Sequence, residues 1–256
     1  MKSPLLEATA LEKSYGRISV LKNVDLTIDR GEAHIVIGPN GAGKTTLFKV
    51  LSGELFPGSG AIRLEGQDIT NVPDWQRVRM GIGRTFQSAR VFSDLTPFEN
   101  MIVAVEARAR TRGGLLQLLS IRPNAENRDA ARVILRDFLL ETVADRPTRT
   151  LSHGDKKRLE LAMAVAGKPR ILMLDEPTAG MAPADRHKCI ELIGRLLAKG
   201  DFSLLLTEHD MEVVFGLATR ITVLNYGEVI ASGAPQDIRS NARVREVYLG
   251  HELATA

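Results

Sequence analysis

HIVIGPNGAGKTTLFKVLSGEL, residues 34 to 55, is the stretch from which the fold of this chain can be read. HIVIG, residues 34 to 38, is a short apolar run closed by a glycine, and its length predicts a buried strand. TTLFKVLSGEL, residues 45 to 55, places Leu47, Val50 and Leu51 at helical spacing, so a helix follows. Between them GPNGAGKT, Gly38 to Thr45, fits G-x-x-x-x-G-K-[ST] in the strand–loop–helix context that gives this pattern its meaning. Glycines at 38, 41 and 43 let successive backbone N–H groups turn inward around an anion, with Pro39, Asn40 and Ala42 filling the loop. The helix that follows adds the positive end of its dipole. Phosphate groups are the guests this loop suits.

Outward from that loop the chain alternates. LLEATALEKSYG and VLKNVDLTID precede it as two extended segments that predict a small antiparallel sheet, and IRLEGQDIT, residues 62 to 70, predicts another edge strand. From about Asp94 to Gly167 the pattern is helical, in ENMIVAVEARAR, ENRDAARVILRDFLLE and DKKRLELAMAVAG. ILMLDE and SLLLTEH then restore strands around a helix from Pro183 to Lys199, the alternation of a helix-covered parallel sheet. RITVLNYGEVIASG predicts a terminal hairpin, followed by a short polar helix and a tail. The fold class is therefore α/β, with a mixed-sheet core, an N-terminal antiparallel β subdomain and a helical insert. The expected organisation is one domain over 1–256: a core of 1–93 and 168–233, a helical subdomain of 94–167, and a C-terminal helix and tail of 234–256.

Composition narrows the function. A chain of 256 residues with 44% hydrophobic side chains can bury a substantial core. Its 34 Lys and Arg against 31 Asp and Glu leave a net charge of only +3, which gives a nucleic-acid partner little support. The longest apolar run, LAMAVA at 161 to 166, falls well short of the about 20 residues a membrane-spanning helix needs. MKSPLLEATALEKSYG lacks the apolar stretch of a secretory signal, so cytoplasmic residence is expected. The single cysteine, Cys189, excludes an internal disulfide framework and reads as a small buried hydrophobe.

Two further motifs carry chemistry. ILMLDE, residues 171 to 176, is an apolar strand ending in two carboxylates, which charge burial tolerates only at a strand exit or beside a cation. With a phosphate loop upstream, Mg²⁺ is that cation. Lys44 then reaches the β and γ phosphates, Thr45 holds the metal, and Thr46 supports the α and β phosphates. Asp175 orients the metal through its hydration shell, and Glu176 is placed to polarise an attacking water. LSHGD, residues 151 to 155, sets Ser152 and Gly154 at a helix N-terminus, a second place for an anion. Because the first loop already serves the nucleotide, the second site is best used on a nucleotide held by another copy of the chain.

In this order and spacing GPNGAGKTT, LSHGD and ILMLDEP resemble the ATP-binding subunit of an ATP-binding-cassette (ABC) transporter, over nearly the whole chain. The resemblance implies an ATPase whose two subunits form a head-to-tail sandwich around ATP and Mg²⁺. It implies that Tyr15 stacks on adenine, that Gln87 links metal and water to the membrane partner, and that His209 contacts the γ-phosphate. Ser152 and Gly154 would bind the γ-phosphate of the opposite subunit. The family's usual LSGGQ is altered here, with His153 for a glycine and Asp155 for a glutamine, and TAGMAPAD at 178 to 185 departs from the commoner SALD form. LSHGD, EPTAGM and the closing EVYLG, together with the segment RTRGGLLQLLSIRPNAENRDAA, are similar to the branched-chain amino-acid and urea or amide uptake branch. The partners so implied are a second ATPase subunit, transmembrane permease subunits and indirectly a solute-binding protein, at the cytoplasmic face of the inner membrane. A cytosolic cassette without a transport role and a catalytically inert module are the alternatives. Paired cassettes or a long coiled-coil insert would favour the first, and neither is seen. Lys44, Asp175, Glu176 and His209 standing together speak against the second.

Overall fold

In the computed structural model the described residues are 4–86, 89–112 and 125–247. The N-terminal segments form β1 (Leu6–Tyr15) and β2 (Ile18–Ile28), an antiparallel pair closed by the turn at Gly16. β3 (Ala33–Ile37) leads through the glycine loop into α1 (Lys44–Ser52), and β4 (Ser59–Leu64), β5 (Gln67–Asp68), α2 (Asp74–Arg79) and β6 (Ile82–Arg84) follow. The helical part holds α3 (Pro97–Arg112), α4 (Ala125–Asp137) and α5 (His153–Ala166). β7 (Ile171–Asp175), α6 (Pro183–Ala198), β8 (Ser203–Thr207), α7 (Met211–Leu217), β9 (Arg220–Asn225), β10 (Glu228–Gly233), α8 (Pro235–Ser240) and α9 (Ala242–Val247) complete the order.

Two sheets result. One is antiparallel with the order β2-β1-β4-β5; the other has the order β10-β9-β3-β8-β7-β6, parallel from β9 to β6 with β10 antiparallel at its edge. Strand periodicity divides the mixed sheet between two cores. Along β7, Leu172 and Leu174 join the cluster built with α5 and α6, whereas Ile171 and Met173 join the cluster containing α1 and the antiparallel sheet. Both faces are covered, which is why these strands read as unbroken apolar runs.

The helix after the loop is held tightly. Leu47, Phe48, Val50 and Leu51 of α1 are fully buried, each contributing roughly 1.5–3 kcal/mol by leaving water. Its far end is gripped by Arg77, whose buried guanidinium donates to the carbonyls of Val50, Leu51, Ile69, Thr70 and Val72. A cation at the negative end of the helix dipole is well placed. Burial pulls this guanidinium down to about 10, which leaves it charged at neutral pH.

Three expectations from the sequence are corrected. IRLEGQDIT is not one edge strand: Glu65 and Gly66 turn with positive φ, β4 lies between β1 and β5, and only the short β5 forms the edge. The helix expected through FLLE stops at Asp137, because Leu139 takes a φ of 58°, outside the right-handed helical region. The single polar helix near the C-terminus is two short ones, α8 and α9, broken at Asn241, whose backbone is extended. Cys189 is buried among apolar neighbours, and burial pushes its thiol up to about 11. Among the described residues no helix is long and apolar enough to cross a membrane.

Candidate functional site

The C-terminal ends of β3, β7 and β8 converge on one edge of the mixed sheet, where open α/β sheets present their ligands. The glycine loop leaves β3 with Gly38, Gly41 and Gly43 all at positive φ. Two of these glycines are dictated by close approach. A Cβ on Gly38 would lie 2.1 Å from the Leu224 carbonyl oxygen, and one on Gly43 would lie 2.8 Å from that of Val20. The loop is thus pressed against β2 and β9 from behind and has its open side toward solvent, where Asn40, Gly41 and Thr45 are exposed. Lys44 folds back across it, donating to the carbonyls of Gly38 at 2.7 Å and Pro39 at 3.1 Å. Burial pulls the Lys44 amine below its usual value, and the charges of Glu176 and Asp175 act in the opposite sense.

The two carboxylates at the end of β7 are organised by a residue the sequence reading did not single out. Thr207, fully buried at the end of β8, donates its hydroxyl to Asp175 Oδ1 at 2.7 Å. The Thr207 hydroxyl oxygen in turn accepts the Glu176 backbone N–H at 3.0 Å, and the Thr207 carbonyl accepts it at 3.2 Å. Glu176 itself sits at φ 47°, a left-handed backbone that a non-glycine residue adopts at a cost of about 1–2 kcal/mol. The strain turns the side chain out at the strand exit, half-buried, while Asp175 stays buried.

His209 follows β8 and is 63% exposed at its side chain, with Nδ1 3.8 Å from the buried Glu208 carboxylate. Tyr15, at the end of β1, is 48% exposed, which leaves its ring accessible for stacking. The structure therefore gathers Lys44, Asp175, Glu176 and the exit of β8 at the loop Gly38–Thr46.

Ser152 and Gly154 lie at the start of α5 in the helical part. Ser152 is the N-cap, accepting the Asp155 backbone N–H at 3.0 Å and donating to Asp155 Oδ2 at 2.8 Å. Gly154 is buried against α6, where an added Cβ would sit 3.0–3.1 Å from Asp185. His153 Nε2 lies 3.4 Å from the Ala179 carbonyl oxygen.

Gln87 lies outside the described residues, as do residues 113–124 and the end of EVYLG. Its neighbours are placed by another pair that the sequence reading passed over. Glu160 of α5, 5% exposed, accepts the backbone N–H of Phe86 at 3.1 Å and of Arg90 at 3.0 Å, and Lys157 donates to the Phe86 carbonyl at 2.6 Å. Burial pushes the Glu160 carboxyl above the usual range, against those donors and Lys157, and pulls Lys157 below its own. A buried acid and base three residues apart inside DKKRLELAMAVAG were the signal available in the sequence.

The residues fit a nucleotide with its metal. Among the described residues no group of three or more His, Cys, Asp or Glu could hold a metal ion by itself. Asp175 and Glu176 beside the phosphate loop suit Mg²⁺, which is held through one or two carboxylates together with substrate phosphates.

A glycine loop bonded by its own lysine, at the head of a parallel sheet beside an ordered carboxylate pair, defines a phosphate-binding ATPase core. The ABC transporter family model matches residues 21–179, and the chain belongs to that family as an ATP-hydrolysing cassette. A second model, for the branched-chain amino acid ATP-binding cassette transporter, matches residues 228–254. The chain is 40% identical to the high-affinity branched-chain amino acid transport ATP-binding protein LivG of Escherichia coli K12, over 98% of this chain and 99% of the relative. It is 38% identical, with the same coverage, to BraF of Pseudomonas aeruginosa, which bears the same description. A lipopolysaccharide export ATP-binding protein, LptB of Acidithiobacillus ferridurans, is 35% identical over 98% of this chain and 99% of its own length. The ADP conformation of the cassette MJ1267 superposes with a TM-score of 0.82 at 30% identity, covering 97% of this chain and 99% of that one.

Proposed function

We propose that this chain is the ATP-hydrolysing subunit of an importer for branched-chain amino acids or related amino acids and amides. The observation that carries the choice of cargo is the match of residues 228–254 to the branched-chain amino acid model, on top of full-length likeness to LivG and BraF. Likeness to a lipopolysaccharide exporter's subunit is weaker, at 35% identity.

In this reading ATP lies along the loop Gly38–Thr46, with adenine against Tyr15. Lys44 leaves the Gly38 and Pro39 carbonyls and turns its charge to the β and γ phosphates. Thr45, Gln87 and Asp175 would hold Mg²⁺, which neutralises charge on the phosphates as they separate. Glu176 polarises the attacking water, and His209 contacts the γ-phosphate. Ser152 and Gly154, at the start of α5, belong in this reading to another pocket. They complete the pocket of a second subunit arranged head to tail, either this chain or a sister ATPase. ATP drives closure because those contacts exist only in the closed pair, and a ligand shifts an equilibrium only by differential affinity. Hydrolysis removes the contacted phosphate and the pair opens.

The subunit then sits on the cytoplasmic face of the inner membrane, bound to permease subunits and indirectly served by a solute-binding protein. The chain is read as one domain, with 94–167 as the helical subdomain between the core segments 1–93 and 168–233, and 234–256 as its C-terminal end. Uptake of labelled leucine in cells with and without this chain, with urea and short amides as competitors, tests the cargo. Undiminished leucine uptake without the chain rejects it. Recovery of the chain with a permease of a lipopolysaccharide pathway would move the assignment to export.

A further inference from the structure

The two residues that end the run LLLTE, Thr207 and Glu208, reach across to the segment after β7, and only Thr207 is explained by the carboxylates of the site. Glu208 is 1% exposed, an unusual place for a charge. Both of its oxygens are engaged: Oε1 accepts the Thr178 hydroxyl at 2.5 Å and Oε2 accepts the His209 backbone N–H at 3.1 Å. Thr178, itself 2% exposed, lies two residues beyond Glu176, in a tight turn closed by Ala179 N–H to the Glu176 carbonyl and Met181 N–H to that of Thr178. One carboxylate therefore ties the backbone of His209 to the turn that carries Glu176. On its other side the same turn presents the Ala179 carbonyl to His153, the residue that departs from glycine in LSHGD.

We infer that Glu208 is a positioning residue, which locks His209 and the turn Glu176–Met181 into one body through the Thr178 hydroxyl. The inference rests on the proposed contact of His209 with the γ-phosphate. A displacement of His209 on meeting phosphate is then delivered to Glu176, and through Ala179 to the segment that serves the opposite pocket. A buried carboxylate suits this role better than an amide, because both bonds need an acceptor and an amide offers one oxygen.

The test uses the full-length chain and Mg-ATP, with turnover at saturating ATP, nucleotide Kd and urea unfolding measured on the same samples. Thr178→Val keeps the shape and removes only the hydroxyl; Glu208→Ala removes both bonds. Each should lower kcat by about tenfold with Kd unchanged. The double variant should be no slower than Glu208→Ala alone, and Thr178→Ser should stay within about twofold of the parent. A folded Thr178→Val with parental kcat, a multiplicative loss in the double variant, or a Kd that rises in step with the fall in kcat would each overturn the inference. His209→Ala separates the two layers. If it keeps full turnover, the reading of His209 fails; if it loses turnover while Thr178→Val does not, only the lock through Glu208 fails.

Discussion

Replacing Thr207 by valine removes one oxygen from the centre of the site and almost nothing else. The side chain is fully buried, so shape is kept while two interactions disappear. The bond to Asp175 Oδ1, at 2.7 Å, has a charged acceptor, and such bonds contribute about 1.5–3 kcal/mol. The Glu176 N–H loses its 3.0 Å acceptor and retains only the longer 3.2 Å bond to the Thr207 carbonyl, a smaller loss. Asp175 is left buried with one oxygen short of a partner, so a loss of about 2–3 kcal/mol in folding stability is expected in urea titration. Because Glu176 is already held in a strained backbone, release of its anchor lets it relax away from the place proposed for the attacking water. A misplacement of about 1 Å costs near 100-fold in rate, which puts the expected fall in kcat between about 10- and 100-fold. Nucleotide affinity should change little, since the glycine loop and Lys44 make no use of this hydroxyl. Parental turnover in a variant destabilised as calculated would show that Thr207 is structural only. A large loss of ATP affinity would refute the division of labour between the loop and the strand ends.

Further outcomes follow from the same geometry. Lys44→Ala should weaken ATP binding strongly in nucleotide titration. Because the Lys44 amine of the free chain lies below its usual value, parental affinity should fall as pH is raised toward and through that lowered value, before an ordinary lysine would discharge, and the variant should be insensitive over this range. Glu176→Gln should bind ATP, lose turnover and accumulate as an ATP-bound dimer in sedimentation; normal turnover would reject Glu176 as the base. Glu160→Ala removes the acceptor shared by the part-buried N–H groups of Phe86 and Arg90, for an expected loss of about 1–3 kcal/mol, whereas Glu160→Gln keeps an acceptor oxygen and should cost less, losing mainly the ion pair with Lys157. The folded Glu160 carboxyl is raised above its unfolded value, so the folded state holds this proton more tightly. Its contribution to stability is full below the unfolded value and is lost as pH rises through the raised one, a slope that urea midpoints should show in the parent and not in Glu160→Gln.

Much of the core was legible because each of its elements is decided locally. The glycine loop, the apolar runs of β3, β7 and β8 and the capped start of α5 depend on spacing within about ten residues, and all stand where the sequence put them. α2 and β6 were missed because six and three residues are too few to establish a period. β6 counts as a strand only because Ile82–Arg84 pairs with Ile171–Met173, a partner far along the chain. The same limit hid the residues that hold the site in place. Thr207, Glu208 and Glu160 each reach a group far along the chain, and Arg77 reaches Val50 and Leu51 besides nearer carbonyls; only the spacing of Lys157 and Glu160 left a local trace of this. Sequence motifs name the groups that meet the ligand; the groups that aim them are chosen by tertiary contact.

The altered signature segment shows what that distinction means for closure. In LSHGD the Ser152 hydroxyl is already spent on Asp155 Oδ2, and the other Asp155 oxygen is ion-paired with Arg158 one turn on. An acid in the first turn steadies the free helix through its dipole, yet it stands where a phosphate of the second subunit is expected. Arg158 offsets that charge from a site only 10% exposed, so the pair presents little net repulsion while keeping Ser152 capped. For the hydroxyl to meet a γ-phosphate it must turn from Asp155, and the bond it leaves sets part of the free-energy gap between the open and closed pair. An Asp155→Gln substitution, which restores the commoner residue and frees Arg158, should therefore shift ATP-driven dimerisation of the Glu176→Gln chain to lower protein concentration. A dimerisation constant unchanged or weakened by that substitution would show that the bond from Ser152 to Asp155 does not hold the pair open.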